Sequence, residues 1–214
     1  MTKKVSKDEA LKAVKNVNDK TSEGSLQAEA MEAVKTLILW AGDNPEREGL
    51  LDTPKRVVKA YKQFFSGYND DPEEILSRTF EEVDGYDDAV IVRDIRLESH
   101  CEHHMVPIIG VAHVGYIPSS RVVGISKLAR LVDCYSKRLQ TQETMTAQIA
   151  NTIDKVLKPK GVAVVIDSNH NCMSTRGVHK THSSTITSRM LGIFRTDNKA
   201  REEFINLINS PQKF

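Results

Sequence analysis

From about residue 88 the hydrophobic period of this chain switches in a fixed order, and that order limits the folds open to it. "DDAVIVRDIRLES" (87–99) is β-branched and alternating, which predicts a strand with Ile91, Ile95 and Leu97 on one face and Asp94, Arg96 and Glu98 on the other. "IIGVAHVGYIP" (108–118) predicts a second strand. The period then lengthens to that of a helix. Leu128, Leu131, Val132, Tyr135 and Leu139 form one stripe behind a possible Ser126 cap, and Met145, Ile149, Ile153 and Val156 form another over 142–157. Pro159 and Gly161 stop the second helix. "GVAVVIDSNH" is a nearly continuous apolar strand, "SSTITSRMLGIF" alternates again, and "DNKAREEFINLI" reads as a terminal helix with Asp197 as its cap. The order β-β-α-α-β-β-α sets two strand pairs around two consecutive helices. It predicts an α+β domain with an antiparallel sheet and helices on one face.

The domain expected from this pattern is 88–214. Ahead of it, 25–87 reads as a helical region. Leu26, Ala30, Val34, Leu37 and Ile38 mark a first helix, and Thr53 with Pro54 opens a second. "DDPEEILSRTF" is a short helix or turn. Residues 1–24 are polar and Lys-rich and are expected to be a mobile or partly helical arm.

Thirty basic residues stand against 29 acidic ones, so the net charge is near zero. That balance disfavours nucleic acid as a partner. The N-terminus has no apolar core of signal-peptide length, and the longest apolar run of the first half, "LILWA", is far too short to span a bilayer. Three cysteines are an odd count with no secretory signal ahead of them, so reduced thiols in a cytoplasm are expected.

The densest chemistry lies in "SHCEHHMVP" (99–107). Cys101 and His104 have the C-x-x-H spacing that lets one turn offer a thiolate and an imidazole to the same ion. "HNC", His170 to Cys172, closes the third strand and can place both residues beside a site, one as ligand and one next to it. Cys101, His104 and Cys172 together would be a two-thiolate, one-imidazole set, which suits a catalytic zinc with an open fourth position. His103 and His170 would be left for acid–base work. Cys134 falls on an apolar helix stripe and is expected to be structural. His113, His179 and His182 are expected to be ordinary polar positions. Ser126, Lys127 and Arg130 gather at the start of a helix, and Arg176 follows Cys172 by four residues. From the residues alone, these cations read equally as a solvated basic edge or as a phosphate site at a helix N-terminus. No Gly-rich phosphate loop is present.

"CEHHMVP", "GYIP", "GISKLARLV", "RLQTQE", "NHNCMSTRG" and "TSRMLGIF" occur in the order and spacing of GTP cyclohydrolase I, and the chain resembles that family over roughly residues 50–209. The resemblance implies the tunnelling fold, a four-stranded antiparallel sheet with two helices on one face. It also implies a toroidal homodecamer of two pentamers with active sites at subunit interfaces. It implies zinc on Cys101, His104 and Cys172, with His103 and His170 as catalytic histidines. Ser126 would serve the sugar rearrangement, and Glu143 with neighbouring Gln142 the guanine. Lys127, Arg130 and Arg176 would bind the triphosphate. The implied reaction turns GTP and water into 7,8-dihydroneopterin triphosphate and formate. Two positions depart from the pattern: His100 stands where an uncharged, often apolar residue is expected, and Thr141 where an apolar residue is common. The chemistry leaves two competitors, a zinc-stabilised regulatory oligomer that binds a purine nucleotide without turnover, and a tunnelling-fold enzyme acting on another purine or pterin.

Overall fold

The computed structural model describes residues 23–81 and 86–211; most of the expected N-terminal arm lies outside them. The described residues form two compact units, one ending at Gln63 and one beginning at Phe64. The first contains helix α1 (Glu23–Trp40) and all but the last residue of α2 (Thr53–Phe64). The expected apolar face of α1 is only half realised. Leu26, Val34 and Ile38 are partly covered, whereas Ala30 and Leu37 are exposed. Leu39 and Trp40 are also exposed.

The second unit opens with a short 3-10 turn, Ser66–Asn69, and helix α3 (Pro72–Ser77). Asp71 caps α3, accepting from the Glu73 and Glu74 N–H groups, and Pro72 fills the first helical position, where no amide donor is needed. A two-stranded ribbon pairs β1 (Thr79–Phe80) with β4 (Val122–Val123). The main sheet comprises β2 (Val90–Cys101), β3 (Pro107–Ile117), β5 (Leu139–Gln140), β6 (Gly161–His170) and β7 (Thr185–Gly192), in the order β5-β2-β3-β6-β7. Its four long strands are antiparallel, an α+β architecture consistent with the tunnelling fold that the resemblance implies.

The sheet has one strand more than expected. Leu139 and Gln140 pair in parallel with His100 and Cys101. Helix α4 (Ile125–Ser136) therefore ends before Leu139, which the periodicity had assigned to its stripe. The chain turns out at Lys137 and Arg138. Arg138 Nε donates to the Gly67 and Cys134 carbonyls, and the Leu139 N–H donates to the Tyr68 hydroxyl. These bonds hold the segment extended. Cys134 is buried under the same network, its thiol directed at the Gly67 and Asp70 carbonyls, and burial pushes its pKa up. It is structural, as expected.

Helices α4 and α5 (Gln142–Leu157) cover one face of the sheet. Leu128, Leu131, Val132, Tyr135, Met145, Ile149 and Ile153 pack there against Ile95, Leu97, Ala112, Val114, Val162, Val164 and Ile166. β7 runs on into a one-turn helix, α7 (Ile193–Thr196), and the other face is covered in part by the terminal helix α8 (Asn198–Asn209), whose Phe204 and Ile208 pack on Ala163 and Val165. Asp197 caps α8 as expected. Ile91 packs in this second cluster, not beside Ile95 and Leu97. The cause is a bulge between Val92 and Ile95, where Asp94 adopts a left-handed φ of 57°. One extra residue reverses which face each side chain meets.

Candidate active site

Sheet order brings the two halves of the metal motif together. Cys101 ends β2, and His100 pairs with Pro107 at the start of β3. The next residue of β3, Ile108, pairs with His170 at the end of β6. The ends of β2 and β6 therefore flank the same end of β3. Gly110, two residues into this region, lets the strands close up. A Cβ there would lie 2.1 Å from the Asp167 carbonyl oxygen.

Between β2 and β3 the chain makes a tight turn. The His104 and Met105 N–H groups donate to the Cys101 carbonyl, and Met105 takes a left-handed φ of 56°. This turn points two imidazoles at the Cys101 thiol: His103 Nδ1 is 3.7 Å from Sγ and His104 Nδ1 is 3.8 Å away. On the other side, β6 runs directly into a one-turn helix, α6 (Asn171–Ser174), which carries Cys172. The ligating atoms of Cys101, His104 and Cys172 all lie within 4.8 Å of one another. A tetrahedral ion with zinc–sulfur and zinc–nitrogen bonds of normal length needs its ligands about 3.5–3.8 Å apart, so a small contraction seats one. Burial raises the Cys172 pKa, and the neighbouring Cys101 sulfur raises it further. Two thiolates at this distance repel, and a bound dication relieves that repulsion. No disulfide joins the three cysteines.

Arg176 reaches the cluster from beyond α6. Its Nη1 donates to His104 Nε2 at 2.9 Å. His170 is half-buried. Burial lowers its pKa, and the charge of Glu143 partly opposes this. Glu143 itself is exposed in the first turn of α5. Thr141 caps that helix, accepting from the Thr144 N–H, which accounts for a hydroxyl where an apolar residue was expected. Gln142 behaves differently from its neighbour. Its side chain is buried and fully hydrogen-bonded inside the protein.

Ser126, Lys127 and Arg130 occupy the first turns of α4, Ser126 and Arg130 exposed and Lys127 partly so. Ser126 lies inside the helix; the cap position is Gly124. Among the described residues, these three make no hydrogen bond or ion pair to the cluster. His100 is no ligand. It is buried against the Phe64 and Phe65 rings, with centroids 4.7 and 5.3 Å away. His113 is buried on β3, its Nδ1 accepting from the Asp94 N–H in the bulge. His179 and His182 are exposed and outside the cluster.

Comparison with known proteins identifies the family. The sequence model of the family described as GTP cyclohydrolase I matches residues 30–209. The GTP cyclohydrolase 1 of Hyphomonas neptunium is 61% identical over 85% of this chain and 88% of its own. That of Maricaulis maris is 60% identical over 84% and 88%. That of Brucella abortus is 58% identical over 86% of each. With its sequence matched over most of its length and a Cys-His-Cys cluster assembled at one end of its sheet, the chain belongs to the GTP cyclohydrolase I family.

Proposed function

We propose that this protein is a zinc-dependent hydrolase that converts GTP and water to 7,8-dihydroneopterin triphosphate and formate, the first step of pterin and folate biosynthesis, in the cytoplasm. The observation that carries the zinc dependence is the convergence of Cys101, His104 and Cys172 on one point from two strand ends. Two thiolates and an imidazole suit zinc, which bound there would supply Lewis acidity and activated water at neutral pH.

The remaining groups divide by chemistry. Water adds at C8 of the purine, the imidazole ring opens, and C8 leaves as formate. The ribose then opens, rearranges and closes a dihydropterin ring. Two waters are consumed and one is released on closure, a net of one. Protons move at N7 and at the ribose oxygen, which calls for acids and bases that exchange near neutrality, the task of His103 and His170. Ser126 serves the sugar rearrangement. The Glu143 carboxylate accepts from guanine N1–H and the 2-amino group, and its place in the first turn of α5 leaves it exposed for that purpose. Arg176, Lys127 and Arg130 bind the triphosphate.

Lys127 and Arg130 make no bond to their own chain's cluster, which fits a site completed by a second subunit. The protein is a homo-oligomer on this reading, a toroidal decamer of two pentamers. Among the described residues β7 pairs only with β6, leaving its outer edge open, and Ile186 on that strand is exposed. Sedimentation mass checks the assembly. No helix of the described residues is long and apolar enough to cross a membrane.

Incubation of zinc-loaded protein with GTP, with formate and oxidised neopterin fluorescence measured together, tests the function. Both products are expected in equal amounts. Their absence contradicts the proposal. Glu143→Ala is expected to raise KM for GTP and leave bound zinc unchanged.

A further inference from the structure

Gln142 adjoins the residue proposed to read guanine, yet its side chain is 1% exposed and every hydrogen-bonding position on it is taken. Its Nε2 donates to the Ile166 carbonyl at 3.0 Å and the Thr185 carbonyl at 2.8 Å, with Thr187 Oγ1 at 3.1 Å. Its Oε1 lies 2.6 Å from Ser168 Oγ and 2.7 Å from His170 Nε2. Two backbone carbonyls can only accept, so the amide nitrogen must face them. Reversing the amide would press Oε1 against both carbonyls. The orientation is therefore fixed by chemistry, and Oε1 must face His170.

An amide oxygen can only accept, and at 2.7 Å an unprotonated Nε2 would meet it lone pair to lone pair. His170 must then carry its proton on Nε2 whenever the ring is neutral. We infer that Gln142 is a positioning residue: its amide carbonyl holds His170 in the Nε2–H tautomer and leaves Nδ1 as the one ring nitrogen that exchanges protons with the substrate. This rests on the catalytic role proposed for His170. It assigns to a named atom a proton transfer that the sequence leaves open. It also gives the first turn of α5 two tasks on consecutive residues, with Gln142 setting the acid–base group and Glu143 exposed for the base.

The wild-type tautomer can be read directly. Nitrogen-15 spectra of histidine-labelled, zinc-loaded protein at about pH 8, where imidazoles are largely neutral, are expected to show His170 protonated at Nε2. The His170→Asn spectrum provides the assignment. An Nδ1–H tautomer in the wild type overturns the inference without any variant, and without reference to turnover. If instead formate release fails while the Nε2–H tautomer stands, the proposed function falls and the tautomer assignment survives. Gln142→Met keeps the volume and removes the acceptor. It should mix the tautomers and lower kcat about 10- to 100-fold, the usual cost of losing an orienting partner, with KM for GTP little changed. A raised KM at unchanged kcat would instead place Gln142 on the substrate and overturn the inference. Ser168→Ala, which removes the other donor to Oε1 and leaves His170 bonded, should keep kcat close to wild type. Equal loss of kcat in both variants, tracking equal loss of thermal stability, would make the network structural only and would also overturn it.

Discussion

At the scale of single residues, the seven histidines separate by what surrounds them. His100 was the member of "SHCEHH" that spacing could not explain, and the structure makes it a ring packed against two phenylalanines. No sequence pattern announces that contact, because Phe64 and Phe65 lie some thirty-five residues upstream. His113 was expected to be ordinary, yet it is buried and closes the bulge that reverses β2. Burial lowers its pKa below the ordinary value of 6.5, while the charges of Asp94 and Asp167 raise it and that of Arg93 lowers it. The unfolded chain thus holds a proton on this histidine at a higher pH than the folded one does. The stability contributed by neutral His113 is complete above about pH 6.5 and is lost as pH falls through the lower folded value. Thermal melts between about pH 7.5 and 5.5 should therefore show a fall in Tm that is shallower in His113→Gln. Parallel slopes in the two proteins would contradict this.

At the scale of elements, strand and helix identities were legible because their periods are strong. The limits expected for β6 and α5, from Gly161 and near 142, agree with those found. Three features were not legible, each because long-range contacts decided it. The bulge at Asp94 turns Ile91 to the opposite face, which no alternation count reveals. The two-residue strand β5 exists only because His100 and Cys101 offer it an edge. The burial of the Gln142 side chain depends on Ile166, Thr185 and Ser168, all far along the chain. Thr141, by contrast, becomes intelligible as a local cap. Thr141→Ala should destabilise the protein by about 1 kcal/mol in denaturant unfolding with an unchanged slope. No change in midpoint would show that the cap carries no weight.

At the scale of the whole molecule, the site is a consequence of sheet order. Cys101 and Cys172 are distant in sequence because two helices intervene, and close in space because β2 and β6 flank β3. Spacing alone suggested this ligand set, and the structure brings its three atoms within reach of one ion. The division of the cluster into metal ligands and proton-moving histidines is the central claim. It is tested most directly by measuring bound zinc and formate release side by side in wild type, Cys172→Ala and His170→Ala. Cys172→Ala should lose zinc and turnover together, since two ligands hold zinc poorly. His170→Ala should retain zinc and lose turnover. Loss of zinc in His170→Ala, or its retention in Cys172→Ala, would contradict the assignment.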